Sequence, residues 1–297
     1  MSISPILLFT YNRPEHTRLT LEALKKNHLS DRSRLYIFSD GYRNETDREE
    51  VMKVRELVRS VEGFAAIHIE ERTENVGLAR NIIEGVTRVV NEHGKVIVLE
   101  DDLITSPYFL TFMNDVLERY EQEEKIAHVQ GFCFPLQGLP DAFLIRWTGS
   151  WGWATWKRAW NLFNPDGEAL LSEIMKKRLD REFDFNGNYP FTRMLRRQVN
   201  GENDSWAIRW NASLFLHNRL SVNAGKSLVQ NIGFDGSGRH SGHDVIYTTP
   251  LHMSALSSEI PRIEENKAVR KAFEKYYRRT NSLLAKGVRR IKRILKG

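Results

Sequence analysis

Two hydrophobic periods alternate along the first hundred residues. An apolar run over 3–10 predicts a buried strand, broken by Tyr11-Asn-Arg-Pro14. Pro14 suits the first turn of a helix, and Leu19, Leu21 and Leu24 carry a helical pattern to about Asn27. A second strand, Leu35 to Phe38, ends at Ser39-Asp-Gly41. The stretch 46–61 then places Val51, Val54, Leu57, Val58 and Val61 on one helical side. A third strand, 66–69, leads into Glu74-Asn-Val-Gly77, and a helix over 78–92 packs Ile82, Ile83, Val86 and Val89/Val90. The fourth strand is 96–99. Strands alternating with helices at this spacing predict an α/β fold built on a mostly parallel sheet.

The second half has a different texture. Helix is predicted over Tyr108–Tyr120, over 168–180 and within 193–216, with strands near 126–131 and 219–223. All seven tryptophans lie between 147 and 210. Gly233, Gly236, Gly238 and Gly242 mark a loop, and basic helices are expected from about 262. This pattern divides the chain into a body, 1–261, and a basic helical tail, 262–297. The body splits at 104 into two halves, 1–104 and 105–261.

Charge sharpens that division. Residues 262–297 hold 13 Lys/Arg against 3 Glu, a net of +10, which leaves 31 basic and 35 acidic residues in 1–261, a net of −4. The basic balance therefore belongs to the tail, and a body-wide nucleic-acid footprint is not expected. Within the tail, Leu284, Val288, Ile291 and Leu295 recur at helical spacing, with Lys286, Arg289, Arg290, Lys292 and Arg293 between them. That pattern predicts an amphipathic helix at an anionic membrane surface. Cys133 is the single cysteine, which excludes an intrachain disulfide. The first residues lack the basic and apolar regions of a signal peptide, and no apolar stretch is long enough to span a bilayer. The expectation is a cytoplasmic protein, peripheral at the inner face of the cytoplasmic membrane.

The densest chemistry is Val96-Ile-Val-Leu-Glu-Asp-Asp102, a buried strand ending in three carboxylates. Such a cluster is costly at a strand end unless a cation or a polar ligand compensates it. The carboxyl ends of parallel strands share one edge, where open α/β sheets bind ligands. Asn12-Arg13, Asp40-Gly41, the loop Asn75 to Asn81, and Glu100 to Asp102 all leave that edge. Asn12 and Asp40 suit a base or ribose, and Arg80, at a helix start, could pair with phosphate or with a site carboxylate. Neither glycine-rich phosphate cradle, G-x-G-x-x-G or G-x-x-x-x-G-K-S/T, is present, so a diphosphate would need a hard divalent ion, Mn2+ or Mg2+. Trp147-Thr-Gly-Ser-Trp-Gly-Trp-Ala-Thr-Trp156 reads as a backbone turn under an aromatic wall suited to sugar faces. Asp204, before Trp206, could act as general base, with Glu202 the alternative. Asn231-Ile-Gly-Phe-Asp-Gly-Ser-Gly-Arg-His240 resembles a lid whose Arg239 could meet phosphate and whose His240 could meet metal or phosphate.

These residues resemble the nucleotide-diphosphosugar glycosyltransferases of the GT-A fold, a Rossmann-like, mostly parallel sheet flanked by helices. Among them the chain looks most like bacterial relatives of the inverting N-acetylglucosaminyltransferase I type. Phe9-Thr-Tyr-Asn-Arg-Pro14 is similar to the family's first nucleotide-binding loop, which adds Thr10, Asn12 and Arg13 to the donor site. Glu100-Asp-Asp-Leu103 with Ser106-Pro-Tyr-Phe109 is similar to the family's aspartate-x-aspartate motif and following helix. The resemblance implies that Asp102 is the direct metal ligand and that Glu100 and Asp101 face the donor ribose or sugar. It implies that Trp151, Gly152, Trp153 and Trp206 shape the sugar and acceptor pocket, and that Asp204 is the catalytic base. The likeness covers about 3–245, and it implies that 1–104 is the nucleotide-binding half and 105–261 the acceptor half. The implied partners are a nucleoside-diphosphate sugar, UDP-linked by family habit, and a glycan or lipid-linked acceptor. Competing readings are a retaining transferase on the same fold, a sugar-nucleotide pyrophosphorylase, and a non-catalytic glycan- or membrane-binding protein.

Overall fold

The computed structural model describes residues 3–235 and 249–281. The strands in chain order are β1 (Ile6–Thr10), β2 (Arg34–Ser39), β3 (Ala66–Glu71), β4 (Lys95–Glu100), β5 (Leu103–Thr105), β6 (Ile126–Gln130), β7 (Ala142–Ile145), β8 (Trp153–Trp156), β9 (Leu220–Ala224) and β10 (Val229–Asn231). The helices are α1 (Pro14–Lys25), α2 (Glu45–Arg59), α3 (Leu78–His93), α4 (Phe109–Arg119), α5 (Lys157–Trp160), α6 (Gly167–Lys176), α7 (Asp180–Phe183), α8 (Phe191–Val199), α9 (Trp206–Leu216) and α10 (Lys267–Asn281).

Eight strands form one sheet in the order β3-β2-β1-β4-β8-β6-β9-β7, and β10 pairs with β5 in a separate antiparallel ribbon. β3, β2, β1 and β4 run parallel, as do β6 and β9, while β8 and β7 run against their neighbours. The expected α/β architecture, a mostly parallel sheet flanked by helices, is therefore the observed one. The sheet runs without a break through both expected halves of the body.

The pleat explains the layering. Ile6 and Leu8 of β1, Leu35 and Ile37 of β2, and Ile97 and Leu99 of β4 face one core with α1, α2 and α4. The intervening Leu7, Phe9, Tyr36, Phe38, Val96 and Val98 face the other with α3, α5 and part of α9. Local signals set the helix starts. Pro14 opens α1, the Asn44 side chain accepts from Asp47 N at 3.0 Å before α2, and Ser205 Oγ accepts from Ile208 N at 3.3 Å before α9.

The helix expected within 193–216 is present as two helices, α8 and α9, separated at Asn200–Ser205. One expectation is corrected. Residues 153–156 form a strand inserted between β4 and β6 rather than part of an aromatic turn. Helix α10 lies in the expected tail but is docked on the body. Its Phe273 is fully buried, 5.5 Å from the Phe134 ring, 5.6 Å from Trp147 and 5.9 Å from Phe143. Phe273→Leu is accordingly expected to lower the urea-unfolding free energy by about 1 kcal/mol within a single transition. An unchanged midpoint, or a separate early transition, would place α10 outside the cooperative unit. The predicted amphipathic segment 283–295, and with it Arg239 and His240, lies outside the described residues. Among the described residues no helix is long and apolar enough to cross a membrane.

Candidate functional site

The carboxyl ends of β1 and β4 are adjacent in the sheet, so the loop 11–13 meets Glu100–Asp102 directly. The Arg13 guanidinium bridges two carboxylates, bonding Asp101 Oδ1 and lying 2.9 Å from Asp102 Oδ2. Tyr11 N donates to the other Asp101 oxygen at 3.2 Å, and Thr20 Oγ1 donates to the Asp101 carbonyl at 2.8 Å. Asp101 is thereby turned inward and buried. It braces the first loop instead of facing a donor, which corrects its expected role. Asp102 keeps more access, with its side chain 14% exposed.

The charge balance is unequal. Burial, then the charges of Asp102 and Asp101, pushes the Glu100 pKa up to about 8. Burial also raises Asp101, outweighing the lowering by Arg13. Burial opposes the charge on Arg13 itself, but the pull of Asp101 and Asp102 raises its pKa above the ordinary arginine value. Three carboxylates thus share one guanidinium. Among the described residues no three His, Cys, Asp or Glu groups converge to cage a metal ion. The set instead fits a hard divalent ion that takes one carboxylate and completes its shell with water and substrate phosphate oxygens.

A second layer covers this cluster. The β10–β5 ribbon carries the chain to Ile232, whose N–H donates to the Asp102 carbonyl at 2.9 Å. Gly233 follows, and a Cβ there would lie 2.2 Å from Asp102 Oδ2 and 3.0 Å from Arg13 Nη1. Only glycine lets the backbone pass so close. Beyond it Asp235 Oδ2 lies 3.1 Å from His16 Nε2, and the Phe234 ring meets Trp151 edge-on at 5.4 Å.

The remaining candidates divide. Asn12 Nδ2 donates to Asp47 Oδ1 at 3.2 Å, and Tyr11 Oη donates to the other Asp47 oxygen at 2.6 Å. Burial, reinforced by that bond, pushes the Tyr11 pKa up to about 12. The Arg43 guanidinium sits 5.1 Å over the Tyr11 ring and reaches Asn75 at 3.3 Å. Beside them lies an open depression of about 430 Å³ lined by Tyr42, Arg43, Thr73, Glu74 and Asn75. Thr10 lies beneath this edge, buried, its hydroxyl without a partner among the described residues.

Asp40 is corrected. Its oxygens accept from Gly41 N, Val76 N, Gly77 N and Asn75 Nδ2 at 2.9–3.1 Å, so it clamps the loop before α3 and is not presented to a base or ribose. Arg80 is corrected too: 68% exposed, it pairs with Glu84 of its own helix at 2.6 Å, not with a site carboxylate.

The tryptophan segment splits in the same way. Trp151 is half-buried and edge-on to Phe132 at 4.7 Å. Gly152 adopts φ +63° and its carbonyl accepts from Gly131 N at 2.8 Å, so the chain bends here and is tied to the residue after β6. Trp153 and Trp206, expected to touch sugar, are instead buried and stacked 5.1 Å apart in the second core. Trp153 also stacks on His128, which accepts from Trp210 Nε1 at 3.1 Å. Burial pushes the His128 pKa down to about 3, which keeps the ring neutral. Gln130 beside it donates to the Trp151 carbonyl at 3.0 Å and so fixes the turn. Asp204 sits one residue before the cap of α9, 69% exposed, its Oδ1 accepting from Arg209 Nη2 at 2.9 Å. Arg209 is held in turn by the Ser205 and Pro165 carbonyls.

Sequence reasoning passed over Tyr42, Arg43, Asp47, Gln130 and the close approach of Gly233. Tyr42 is set only by lining the depression, while Arg43, Asp47, Gln130 and Gly233 meet partners about 20 to 220 positions away, and no local pattern marks them.

No protein-family model matches the chain, and no curated protein matches it. Among solved structures, part of the chain is similar to the mannosyltransferase PcManGT from Pyrobaculum calidifontis in complex with GDP-Man and Mn2+. That match has 13% identity over 45% of this chain and 36% of that one, with a TM-score of 0.33. Two S. aureus TarS structures are also similar in part. One matches at 12% identity over 46% of this chain and 23% of that one (TM-score 0.33). The other, TarS 1-349 in complex with UDP, matches at 13% identity over 46% and 37% (TM-score 0.34). The matched region spans well under two thirds of each of those chains.

Proposed function

We propose that this chain is an inverting nucleotide-sugar glycosyltransferase. It would move a sugar from a nucleoside-diphosphate sugar, a UDP-sugar first among them, to a hydroxyl of an envelope or lipid-linked glycan. The observation that carries the reading is the acidic triad Glu100–Asp102 at the end of β4, braced by Arg13 from the end of β1. Three carboxylates with a single guanidinium are short of positive charge, and a diphosphate with its counter-ion supplies what is missing.

In this reading the base lies in the depression beside Asn12, Arg43 and Asn75, and the diphosphate lies over Asp102. Mn2+ or Mg2+ on Asp102 would neutralise charge on the departing diphosphate. Glu100 and Asp101 hold the cluster in place, Asp101 through Arg13 and Tyr11 N. The turn at Trp151-Gly152, fixed by Gln130, forms the wall nearest the sugar. Asp204, oriented by Arg209, accepts the proton of the acceptor hydroxyl as its oxygen attacks the anomeric carbon. Arg239 and His240 are assigned to the donor phosphates from the sequence alone.

The test is thermal stability of the protein with UDP, GDP, CDP and dTDP, each with and without Mn2+, in wild type and Asp102→Ala. A ligand bound at a hundredfold excess over its Kd stabilises the native state by about 2.7 kcal/mol, a shift of several degrees. One nucleotide should raise Tm only with Mn2+, and folded Asp102→Ala should lose that increment. No shift with any nucleotide, or an undiminished shift in the variant, would overturn the assignment of the triad.

A further inference from the structure

We propose that the outer face of α10 is a docking surface for an anionic lipid membrane. The helix separates its chemistry by side. Val269, Phe273 and Tyr277 are buried against the body, and Arg270, also buried, pairs with Glu265 at 3.2 Å and with Glu274 at 3.4 Å. The carboxylates of this region are thus drawn inward: Glu265 also lies near Arg146, and Glu274 accepts from Asn186 at 2.7 Å. Lys267, Lys271, Lys275, Arg278 and Arg279 are all exposed. Among the described residues none of these five is in an ion pair with a carboxylate.

Helical geometry turns that list into a surface. At about 100° per residue, positions 267, 271, 275, 278 and 279 fall within a sector of about 120°, and 269, 273 and 277 fall on the opposite side. From Lys267 to Arg279 the row is about 18 Å long. The inner face is locked by aromatic packing, since Phe273 and Tyr277 both contact Phe134 and Phe185. The cations are therefore presented as one straight edge of a rigid body. Like charges held this close repel one another unless a polyanion faces them.

The form of the row selects the partner. A single-stranded nucleic acid is held by cations interleaved with aromatic platforms along a groove. No exposed residue of α10 is aromatic. A one-sided row of cations on a body of net charge −4 suits a planar anionic surface, which the rest of the protein repels. The chain that continues from α10 carries further cations spaced by Leu284, Val288, Ile291 and Leu295, an arrangement of sequence that suits the same interface. This surface is independent of the transfer reaction, and its test uses no nucleotide.

The experiment is co-sedimentation of the full chain with vesicles of phosphatidylcholine alone and with 30% (about a third) phosphatidylglycerol, at about 0.1 M and 0.5 M salt. Wild type should pellet with the anionic vesicles at low salt only. A K267Q/K271Q/K275Q/R278Q variant, with Tm unchanged, should bind at least tenfold more weakly, and on the order of a thousandfold more weakly if the cations act independently. A second variant, K286Q/R289Q/R290Q/K292Q/R293Q, separates α10 from the segment beyond it. Wild-type binding by the α10 variant would overturn the proposal. So would failure of wild type to bind anionic vesicles, or retention of a single-stranded oligonucleotide in preference to them.

Discussion

Asp204→Asn is expected to lower the rate of sugar transfer roughly 10²–10⁴-fold, the usual contribution of a positioned general base. The structural cost should be small. The side chain is 69% exposed, and its pair with Arg209 is of the kind that contributes about 0–1 kcal/mol. Asparagine keeps an oxygen for Arg209 but cannot take a proton at neutral pH. The variant should therefore keep its Tm and its nucleotide-induced stabilisation while losing turnover, measured as release of nucleoside diphosphate from the sugar nucleotide that binds. A donor Kd unchanged beside a lost kcat assigns Asp204 to the chemical step. Retained turnover would remove Asp204 and move attention to Glu202, which is paired with Arg197 at 2.8 Å.

That separation matters because the candidate polar residues differ in what holds them. Asp40, Asp101 and Gln130 spend their hydrogen-bonding capacity on loops. Asp102 and Asp204 keep more access to solvent, each held on one side by an arginine. Burial and partner count, rather than residue type, separate the two groups.

The sequence made much of the scaffold legible and less of this sorting. β1, β2, β3 and β4 lie within three residues of their expected bounds because each has a short, mostly apolar run and a polar stop. The helices between them are legible from their 3.6-residue stripes and from Pro14. β8 escaped because its residues, Trp-Ala-Thr-Trp, become a strand only by pairing with Lys95–Val98 and Val129–Gln130, contacts distant in sequence. Trp153 and Trp206 misled for the same reason. An indole among glycines suits a sugar wall, but here the two rings fill the space between the sheet and α9. The acidic triad was legible as a costly cluster. What compensates it within the chain, Arg13, was legible only as a neighbour on the same edge. The helix α10 was legible but its docking was hidden by its charge: ten net positive charges in the tail concealed three apolar positions, Val269, Phe273 and Tyr277, which dock it.

Arg13→Met is expected to destabilise the metal-free protein by about 3–5 kcal/mol at pH 8, the range for removing one partner of a buried charge cluster. Methionine fills much of the volume, so the loss is electrostatic: Asp101 and Asp102 would share their site with no counter-ion. The pH dependence identifies the cause. Glu100 and Asp101 already have folded-state pKa values raised above their ordinary ones, Glu100 to about 8. A raised carboxyl binds protons more tightly when folded, so its protonated form contributes stability that is complete below the unfolded pKa. That contribution is lost as pH rises through the folded value. For Glu100 the window runs from about 4.5 to about 8. Without Arg13 the carboxyl pKa values rise further and the loss steepens. The deficit relative to wild type should therefore shrink as pH falls from 8 toward 5, read from urea unfolding in the presence of a chelator. A deficit below 1 kcal/mol, or one that is flat across that range, would show that Arg13 is not the counter-ion of the triad. A large deficit confined to high pH makes Arg13 the internal cation that lets three carboxylates share one strand end before any ligand arrives.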